Sequence, residues 1–256
     1  IIAYTARYIG SNPKAPKYIN SITSLLYTKG ETLFGIDRAF RLRDAANFII
    51  VEGAPDVLRL QSIGLENAVA TLGTAWNENQ FEILKHYTSS LCFIPDTDLA
   101  KGSPFGPGFK AVMENGALAI QKGFNVTVRE LPFGLRELTE EELLEKYEGA
   151  IPKDAQREVL VKNDADSYIL DMDIYRNLKE KYFIVWMAEK LFAQVDSLAA
   201  EGQCVSRIAG LLRYVKDQMV YTKCIEQLGK IHGKTRLWRS AVEQVRNESK
   251  KNSRSL

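Results

Sequence analysis

The sequence contains few of the residues that build disulfide frameworks or zinc sites. Its 256 residues include three cysteines and two histidines. Cys92, Cys204 and Cys224 are far apart, and neither histidine has a second histidine or cysteine at ligand spacing. These absences exclude a disulfide scaffold and a CxxC zinc pair, and they favour a reducing, cytoplasmic environment.

Long apolar runs are also missing. No stretch approaches the roughly 18 residues of a membrane span, and no charged-then-apolar leader opens the chain, so we predict no membrane association. Hydrophobic residues make up 45% and charged residues 26%, which excludes a disordered or low-complexity chain. Because the first residue is Ile1 and not Met, we expect a fragment or a processed chain.

The net charge of +2 indicates little about partners, but the charge is unevenly distributed. Residues 1–30 contain four bases (Arg7, Lys14, Lys17 and Lys29) and no acid, whereas residues 134–168 contain ten acids and five bases. A basic amino-terminal segment suits a polyanion such as nucleic acid, although a chance asymmetry of this size is equally common.

From residue 47 onward, short apolar runs alternate with helical patterns. This alternation predicts right-handed βαβ units and a mostly parallel sheet, and the almost wholly apolar runs predict that helices cover both of its faces. The predicted strands are 47–51, 68–72, 91–94 and 125–131, and the predicted helices are 55–63, 78–87 (capped by Asn77) and 109–121.

The pattern changes after Pro132. Residues 134–160 are acidic and helix-prone and are interpreted as an insertion. No convincing strand follows residue 172. We therefore predict four parts: a basic α+β segment at 1–46, an α/β domain at 47–171, a helical subdomain at 172–246 and a frayed polar tail at 247–256.

Pairs of carboxylates occur at three places in the chain. In an open parallel sheet, ligands bind outside the carboxyl ends of the strands. A cluster of acids there needs cations, and hard oxygen ligands select Mg²⁺ or Mn²⁺. Any single pair is more often a turn former or helix cap, so only the combination is specific. The pairs are Glu52 and Asp56 in VEGAPDV (51–57), Asp96 and Asp98 in PDTD (95–98), and Asp164 and Asp166 in KNDADSYI (162–169).

The order of these motifs resembles that of a known family. Glu-Gly after one strand and DxD after a later one are similar to the TOPRIM fold of primases, topoisomerases and some nucleases. Five segments in the same order resemble the catalytic core of bacterial DnaG-type DNA primases over most of residues 1–170. They are PKYINS (16–21), TKGETLFGIDRA (28–39), VEGAPDVLRLQSIG (51–64), ATLGTA (70–75) and KNDADSYI (162–169).

The resemblance implies a TOPRIM-type, mostly parallel sheet flanked by helices and an enzyme that makes short RNA primers on single-stranded DNA. Its substrates would be a DNA template and ribonucleoside triphosphates, and a replicative helicase would be a further partner. Glu52, Asp96 and Asp98 would be the catalytic acids and main ligands of Mg²⁺ or Mn²⁺, and Asp56, Asp164 and Asp166 would complete the metal site. Arg7, Lys17, Tyr18 and Lys29 would face template or nucleotide.

The sequence departs from the family pattern at two points. The family's DGD is followed closely by a glycine and a helix, whereas here Pro95 precedes the pair, Thr97 separates its two aspartates, and LAKGSPFGPG (99–108) intervenes before the helix. The amino-terminal zinc ribbon of these primases has no counterpart in this sequence, so we expect no zinc. A TOPRIM nuclease and a non-catalytic nucleic-acid-binding module of a replication or mobile-element protein are the alternatives.

Overall fold

A computed structural model describes residues 1–10, 12, 14–16, 18–42, 47–71, 76–98 and 105–252, without the side chains of Lys29 and of 248–252. The strands are β1 (Thr5–Arg7), β2 (Tyr18–Asn20), β3 (Phe48–Val51), β4 (Ala68–Ala70), β5 (Ser90–Phe93), β6 (Asn125–Arg129), β7 (Gly134–Glu137), β8 (Glu158–Val161) and β9 (Glu180–Tyr182). The helices are α1 (Ile36–Ala39), α2 (Ala54–Ser62), α3 (Glu78–Lys85), α4 (Pro107–Gln121), α5 (Glu140–Lys146), α6 (Ala165–Tyr168), α7 (Met172–Asn177), α8 (Phe183–Phe192), α9 (Leu198–Leu212), α10 (Gln218–Ile231) and α11 (Thr235–Asn252), with a 3₁₀ turn at Lys29–Glu31.

The central sheet has the strand order β4-β3-β5-β6-β9. Its first four strands are parallel, and β9 pairs with β6 in the antiparallel direction. The predicted sheet, mostly parallel and flanked by helices, is confirmed. Because β3 and β5 are parallel neighbours, their carboxyl ends meet at one edge, which brings the chain after Val51 close to the chain after Phe93.

Alternate residues of the strands supply two cores, one on each face of the sheet. Phe48 and Ile50 of β3 belong to the larger core, which also contains residues of α3, α4 and α8. Ile49 and Val51 belong to the smaller core, together with residues of α2, α6 and α7. All four residues of β3 are buried, as expected for a parallel strand that helices cover on both sides.

Local sequence signals fix where the first helices begin. The Asn77 side chain accepts a hydrogen bond from the Gln80 amide at 3.1 Å, and the Gln80 side chain accepts one from the Asn77 amide at 3.2 Å. This capping box starts α3 at the residue that the sequence predicts. Helix α2 begins with one half of this arrangement: the Asp56 carboxylate accepts from the Gly53 amide at 3.0 Å, and Gly53 has no side chain that could accept in return.

The carboxyl-terminal half differs from the sequence prediction in three respects. Strand β9 lies in the region predicted to be helical, and its three residues, two of them charged, carry no apolar signal of their own. The acidic segment 134–160 includes strand β7, which pairs with β8 on either side of α5. Helix α11 runs to Asn252, past the predicted start of a frayed tail at 247, and its earlier turns are anchored by Trp238 and Val242, which are buried in the larger core.

The amino-terminal segment joins the α/β unit through backbone pairing. Strands β1 and β2 form a two-stranded antiparallel sheet. Further on, Phe34 and Ala70 exchange backbone hydrogen bonds of 2.8 and 3.1 Å beside β4, and Leu33 and Ala39 are buried in the larger core. Among the described residues, no helix is long and apolar enough to cross a membrane.

Candidate active site

Glu52 and Asp56 lie where β3 turns into α2. Glu52 follows the last residue of β3, and Asp56 is in the first turn of α2, where only 6% of its surface is exposed. The two oxygens of Asp56 have different partners. Oδ2 accepts from the Gly53 amide at 3.0 Å, and Oδ1 accepts from the Asp166 amide at 3.0 Å. Asp56 therefore connects the first acidic segment to the third.

Asp96 and Asp98 follow β5, the neighbour of β3. The Asp96 side chain is 7% exposed and lies close enough to Glu52 to add to the rise that burial causes in the pKa of Glu52, so the first and second acidic segments meet at this edge of the sheet. Asp98 accepts from the Gly108 amide of α4 at 3.1 Å. A β-carbon on Gly108 would lie 2.9 Å from the backbone oxygen of Asp96, so the absence of a side chain there allows this close approach.

Asp164 and Asp166 come from the segment between β8 and α6. Asp164 caps α6 by accepting from the Ser167 amide at 3.2 Å. Asp56, Asp164 and Asp166 each have a carboxylate oxygen within 4.8 Å of the others. The structure therefore brings together all six carboxylates that the sequence singles out, as two adjoining groups linked through Asp56 and Asp96.

A lysine lies among these carboxylates. The Nζ atom of Lys162 is 2.7 Å from Asp96 Oδ2 and 3.0 Å from Asp98 Oδ1. This contact is not predicted from the sequence, although the position of Lys162 two residues before Asp164 is a signal that could have indicated it. Its ammonium supplies a positive charge that partly neutralises Asp96 and Asp98.

Burial and the closeness of the carboxylates to one another raise the pKa of several of them. Burial, followed by the nearby Asp96, raises the pKa of Glu52 and that of Asp56 to about 7. A hydrogen bond with Asp164, together with burial, raises the pKa of Asp166 to about 6. Burial also raises the pKa of Asp96, and Lys162 opposes that rise. Such a cluster is stabilised by further positive charge, and its donors are the hard oxygens that divalent metal ions prefer.

The predicted nucleotide-facing residues are only partly described. Arg7 and Tyr18 are cross-strand partners in β1 and β2, with the Arg7 guanidinium 6.0 Å from the centre of the Tyr18 ring. Tyr18 and Glu52 line the same cavity of about 210 Å³. Lys17 lies outside the described residues, and the side chain of Lys29 is not described, so their predicted contacts stay predictions.

Asn20 is a further residue that sequence analysis does not single out. It lines the same cavity as Tyr18 and Glu52, and its Oδ1 atom is buried without a hydrogen-bond partner among the described residues. Its place in PKYINS, two residues after Tyr18, is the signal that could have found it. A buried amide oxygen without a partner can accept a hydrogen bond from a bound molecule that reaches it.

Comparison with known proteins connects both parts of this arrangement to one family. The family described as "DNA primase catalytic core, N-terminal domain" matches residues 1–40, and the family described as "Toprim-like" matches residues 49–140. The chain is 31% identical over 170 residues to a DNA primase of Staphylococcus aureus (strain COL), covering 66% of this chain and 25% of that protein. It is 37% identical over 150 residues to a DNA primase of Aquifex aeolicus, covering 56% of this chain and 28% of that protein.

Solved structures show the same fold over more of the chain. A DNA primase domain from Pseudomonas aeruginosa superposes with a TM-score of 0.65 and 25% identity, covering 95% of this chain and 68% of that one. A DnaG primase catalytic domain bound to single-stranded DNA superposes with a TM-score of 0.59 and 18% identity, covering 90% and 66%. The chain spans about a quarter of the length of the curated primases that it matches. With both family matches in chain order and the six acids at one edge of the sheet, the chain belongs to the family of DnaG-type primase catalytic cores.

Proposed function

We propose that this chain synthesises short RNA primers on single-stranded DNA by metal-assisted nucleotidyl transfer. The observation that carries the proposal is the convergence of Glu52, Asp96 and Asp98 with a second acidic group at the carboxyl edge of the sheet. Transfer of a nucleotidyl group requires positioning and stabilisation of charge on the reacting phosphate more than it requires covalent chemistry from the protein. An acidic site next to a basic segment meets that requirement.

Glu52, Asp96 and Asp98 are proposed as the catalytic acids and main metal ligands, and Asp56, Asp164 and Asp166 as those that complete the site. The ion is proposed to be Mg²⁺ or Mn²⁺, because all donors are carboxylate oxygens. When bound, it would neutralise the phosphates of the incoming nucleotide and orient them. The protein's own contribution is to fix the carboxylates through Gly53, Gly108 and the Asp166 amide.

Template and nucleotide are proposed to bind on the side of the site where β1 and β2 lie. Tyr18 would stack on a base, and the positive charge of Arg7 would contact phosphate. Lys17 and Lys29 are proposed for the same role from their sequence positions. The related primase domain bound to single-stranded DNA supports this class of template. A replicative helicase partner and a cytoplasmic location are part of the same proposal.

The division of the chain is proposed to follow function. Residues 1–46 would supply the basic groups, residues 47–171 the acidic site, and residues 172–246 a helical subdomain. The acidic segment within 134–160 would serve to present β8 and the loop after it, because Lys162 and Asp164 follow that strand directly.

The test is a primer-synthesis assay on single-stranded DNA with labelled ribonucleotides and Mg²⁺ or Mn²⁺. We expect short RNA products from the wild-type protein and none from Asp98→Asn. The control is Asp154→Asn, which changes an exposed aspartate in the turn before β8 and should leave synthesis intact. Because the chain spans about a quarter of the length of its curated relatives, the assay is repeated with the zinc ribbon of a related primase added. Cleavage of DNA without synthesis in both would contradict the proposal and indicate a nuclease, and binding without any product would indicate a non-catalytic module.

A further inference from the structure

The lysine within the acidic cluster combines a fixed backbone with a partly free side chain. The residue after it, Asn163, makes three hydrogen bonds to Thr97, which lies between the two aspartates that Lys162 contacts. The Asn163 side chain also donates to the backbone oxygen of Pro132 at 2.8 Å. The backbone at Lys162 is therefore held against the 96–98 loop, and the lysine is aimed at its carboxylates.

The Lys162 ammonium group can move away from the two aspartates. The Lys162 side chain is 44% exposed, whereas the side chains of Asp96 and Asp98 are only 7% and 18% exposed. A lysine side chain has a flexible four-carbon stem, so its charge can move into solvent by rotation about side-chain bonds without movement of the pinned backbone. The aspartates have no comparable freedom, because both belong to the buried loop.

The charge remains on the lysine while it occupies the cluster. Burial opposes the charged form, but the hydrogen bonds and attraction to Asp96 and Asp98 outweigh it and raise the pKa of Lys162. A cation thus lies between two proposed metal ligands. It uses one oxygen of each aspartate, Asp96 Oδ2 and Asp98 Oδ1.

We propose that Lys162 is a built-in counter-ion that holds the acidic cluster together without metal and competes with the divalent ion for Asp96 and Asp98. This inference rests on the metal site proposed above. A divalent ion that takes both aspartates must displace the ammonium, so Lys162 weakens metal binding and stabilises the metal-free fold. Lys162 is in this sense a positioning residue, since it acts through the two aspartates.

The test is a titration with Mn²⁺, monitored by electron paramagnetic resonance, at about pH 8, above the ordinary pKa range of carboxylic acids. Lys162→Met removes the charge and keeps most of the side-chain volume. We expect it to bind Mn²⁺ about fivefold more tightly than wild type, the factor that corresponds to a partly exposed ion pair of about 1 kcal/mol. Lys162→Arg keeps the charge and should bind Mn²⁺ like the wild type, and so should Lys153→Met, an exposed lysine in the turn before β8.

Thermal unfolding gives a second readout that does not depend on activity. In EDTA, Lys162→Met should unfold at a lower temperature than wild type, because Asp96 and Asp98 lose their cation. Saturating Mn²⁺ should raise its unfolding temperature by more than it raises that of the wild type. A variant that merely misfolds would be less stable in both conditions and would bind Mn²⁺ less well.

The outcomes separate this inference from the proposed function. The first case is that the wild type binds Mn²⁺ and Asp98→Asn does not. Unchanged or weaker Mn²⁺ binding in Lys162→Met would then overturn the role of Lys162 and leave the metal site standing. Failure of the wild type and of Lys162→Met to bind Mn²⁺ would overturn both.

Discussion

Thr97 and Asn163, which are 66 residues apart in the chain, are joined by three hydrogen bonds. The Thr97 hydroxyl accepts from the Asn163 amide at 2.6 Å and donates to the Asn163 carbonyl at 3.1 Å, and the Thr97 amide donates to the same carbonyl at 2.9 Å. Thr97 lies between the proposed metal ligands Asp96 and Asp98, and Asn163 directly precedes the proposed ligand Asp164. The pair therefore fixes the spacing between the second and third acidic segments.

Replacement of Thr97 by valine should weaken both the fold and the site. Thr97 is fully buried, and Thr97→Val leaves the Asn163 amide without its side-chain acceptor. We expect the free energy of unfolding to fall by about 1–3 kcal/mol, the cost of an unsatisfied buried polar group, when measured by urea denaturation. Mn²⁺ affinity should fall with it, because Asp164 would no longer be held beside Asp96.

Thr97→Ser is the matched control for this prediction. It keeps the hydroxyl and loses one methyl group, so it should retain most of the Mn²⁺ affinity. Equal Mn²⁺ affinities for the valine, serine and wild-type proteins would show that the three hydrogen bonds do not set the geometry of the site.

The raised pKa of Glu52 predicts that its contribution to stability depends on pH. Burial, followed by the nearby Asp96, raises this pKa from 4.5 to about 7, so between these values the folded protein binds more protons at Glu52 than the unfolded chain does. Stability from this group is then fully present at low pH and is lost as pH rises through about 7. Glu52→Gln cannot ionise and should gain on the wild type over that range, by on the order of 2 kcal/mol in EDTA.

Urea denaturation of both proteins at a series of pH values checks this prediction. Glu66→Gln, which replaces an exposed glutamate before β4, serves as the control for removal of a carboxylate elsewhere on the fold. A difference between Glu52→Gln and wild type that does not change with pH would mean that the Glu52 carboxyl group ionises as it does in the unfolded chain.

The parts of the fold that the sequence predicts are those with a strong local signal. Strands β3, β4 and β5 are almost wholly buried, so they appear in the sequence as apolar runs, and α2 and α3 carry their own caps. The acids at strand ends are predictable for the same reason, because the strand pattern places them at one edge. Recognition of the family then rests on the order of these motifs.

The remaining features depend on contacts that no local pattern encodes. Strand β9 is a strand because β6 has a free edge, and the residues 180–182 alone give no indication of it. The contact of Lys162 with Asp96 and Asp98 depends on the Thr97–Asn163 pair, which joins segments from different parts of the chain. The cavity shared by Tyr18 and Glu52 likewise requires the packing of β1 and β2 beside α2.

Substitution of Gly108 should damage the site through the backbone. A β-carbon there would lie 2.9 Å from the Asp96 carbonyl oxygen and 3.3 Å from Asp98 Oδ2, so Gly108→Ala must displace the 96–98 loop. The gain in helix propensity is about 1 kcal/mol, and overpacking costs about 1–3 kcal/mol, so we expect net destabilisation and weaker Mn²⁺ binding.

Gly202→Ala is the control for this substitution. Gly202 is an exposed residue of α9, and a β-carbon on it would have nothing within 4 Å. We expect this variant to be more stable than wild type by up to about 1 kcal/mol, with unchanged Mn²⁺ affinity. Equal effects of the two substitutions would argue against a tight approach of α4 to the loop.

Arg7 and Tyr18 are expected to contribute to DNA binding through different forces, although they are neighbours across β1 and β2. A phosphate contact releases counterions, so Arg7→Ala should lower the slope of log affinity against log salt by about 0.7 on single-stranded DNA. A stacked base releases none, so Tyr18→Ala should weaken binding by about 1–3 kcal/mol with an unchanged slope. Fluorescence anisotropy of a labelled oligonucleotide over a range of salt concentrations measures both quantities. Arg7→Lys keeps the charge and should keep the slope. The same slope for Arg7→Ala and wild type would exclude a phosphate contact at Arg7, and a reduced slope for Tyr18→Ala would indicate that Tyr18 acts by positioning Arg7.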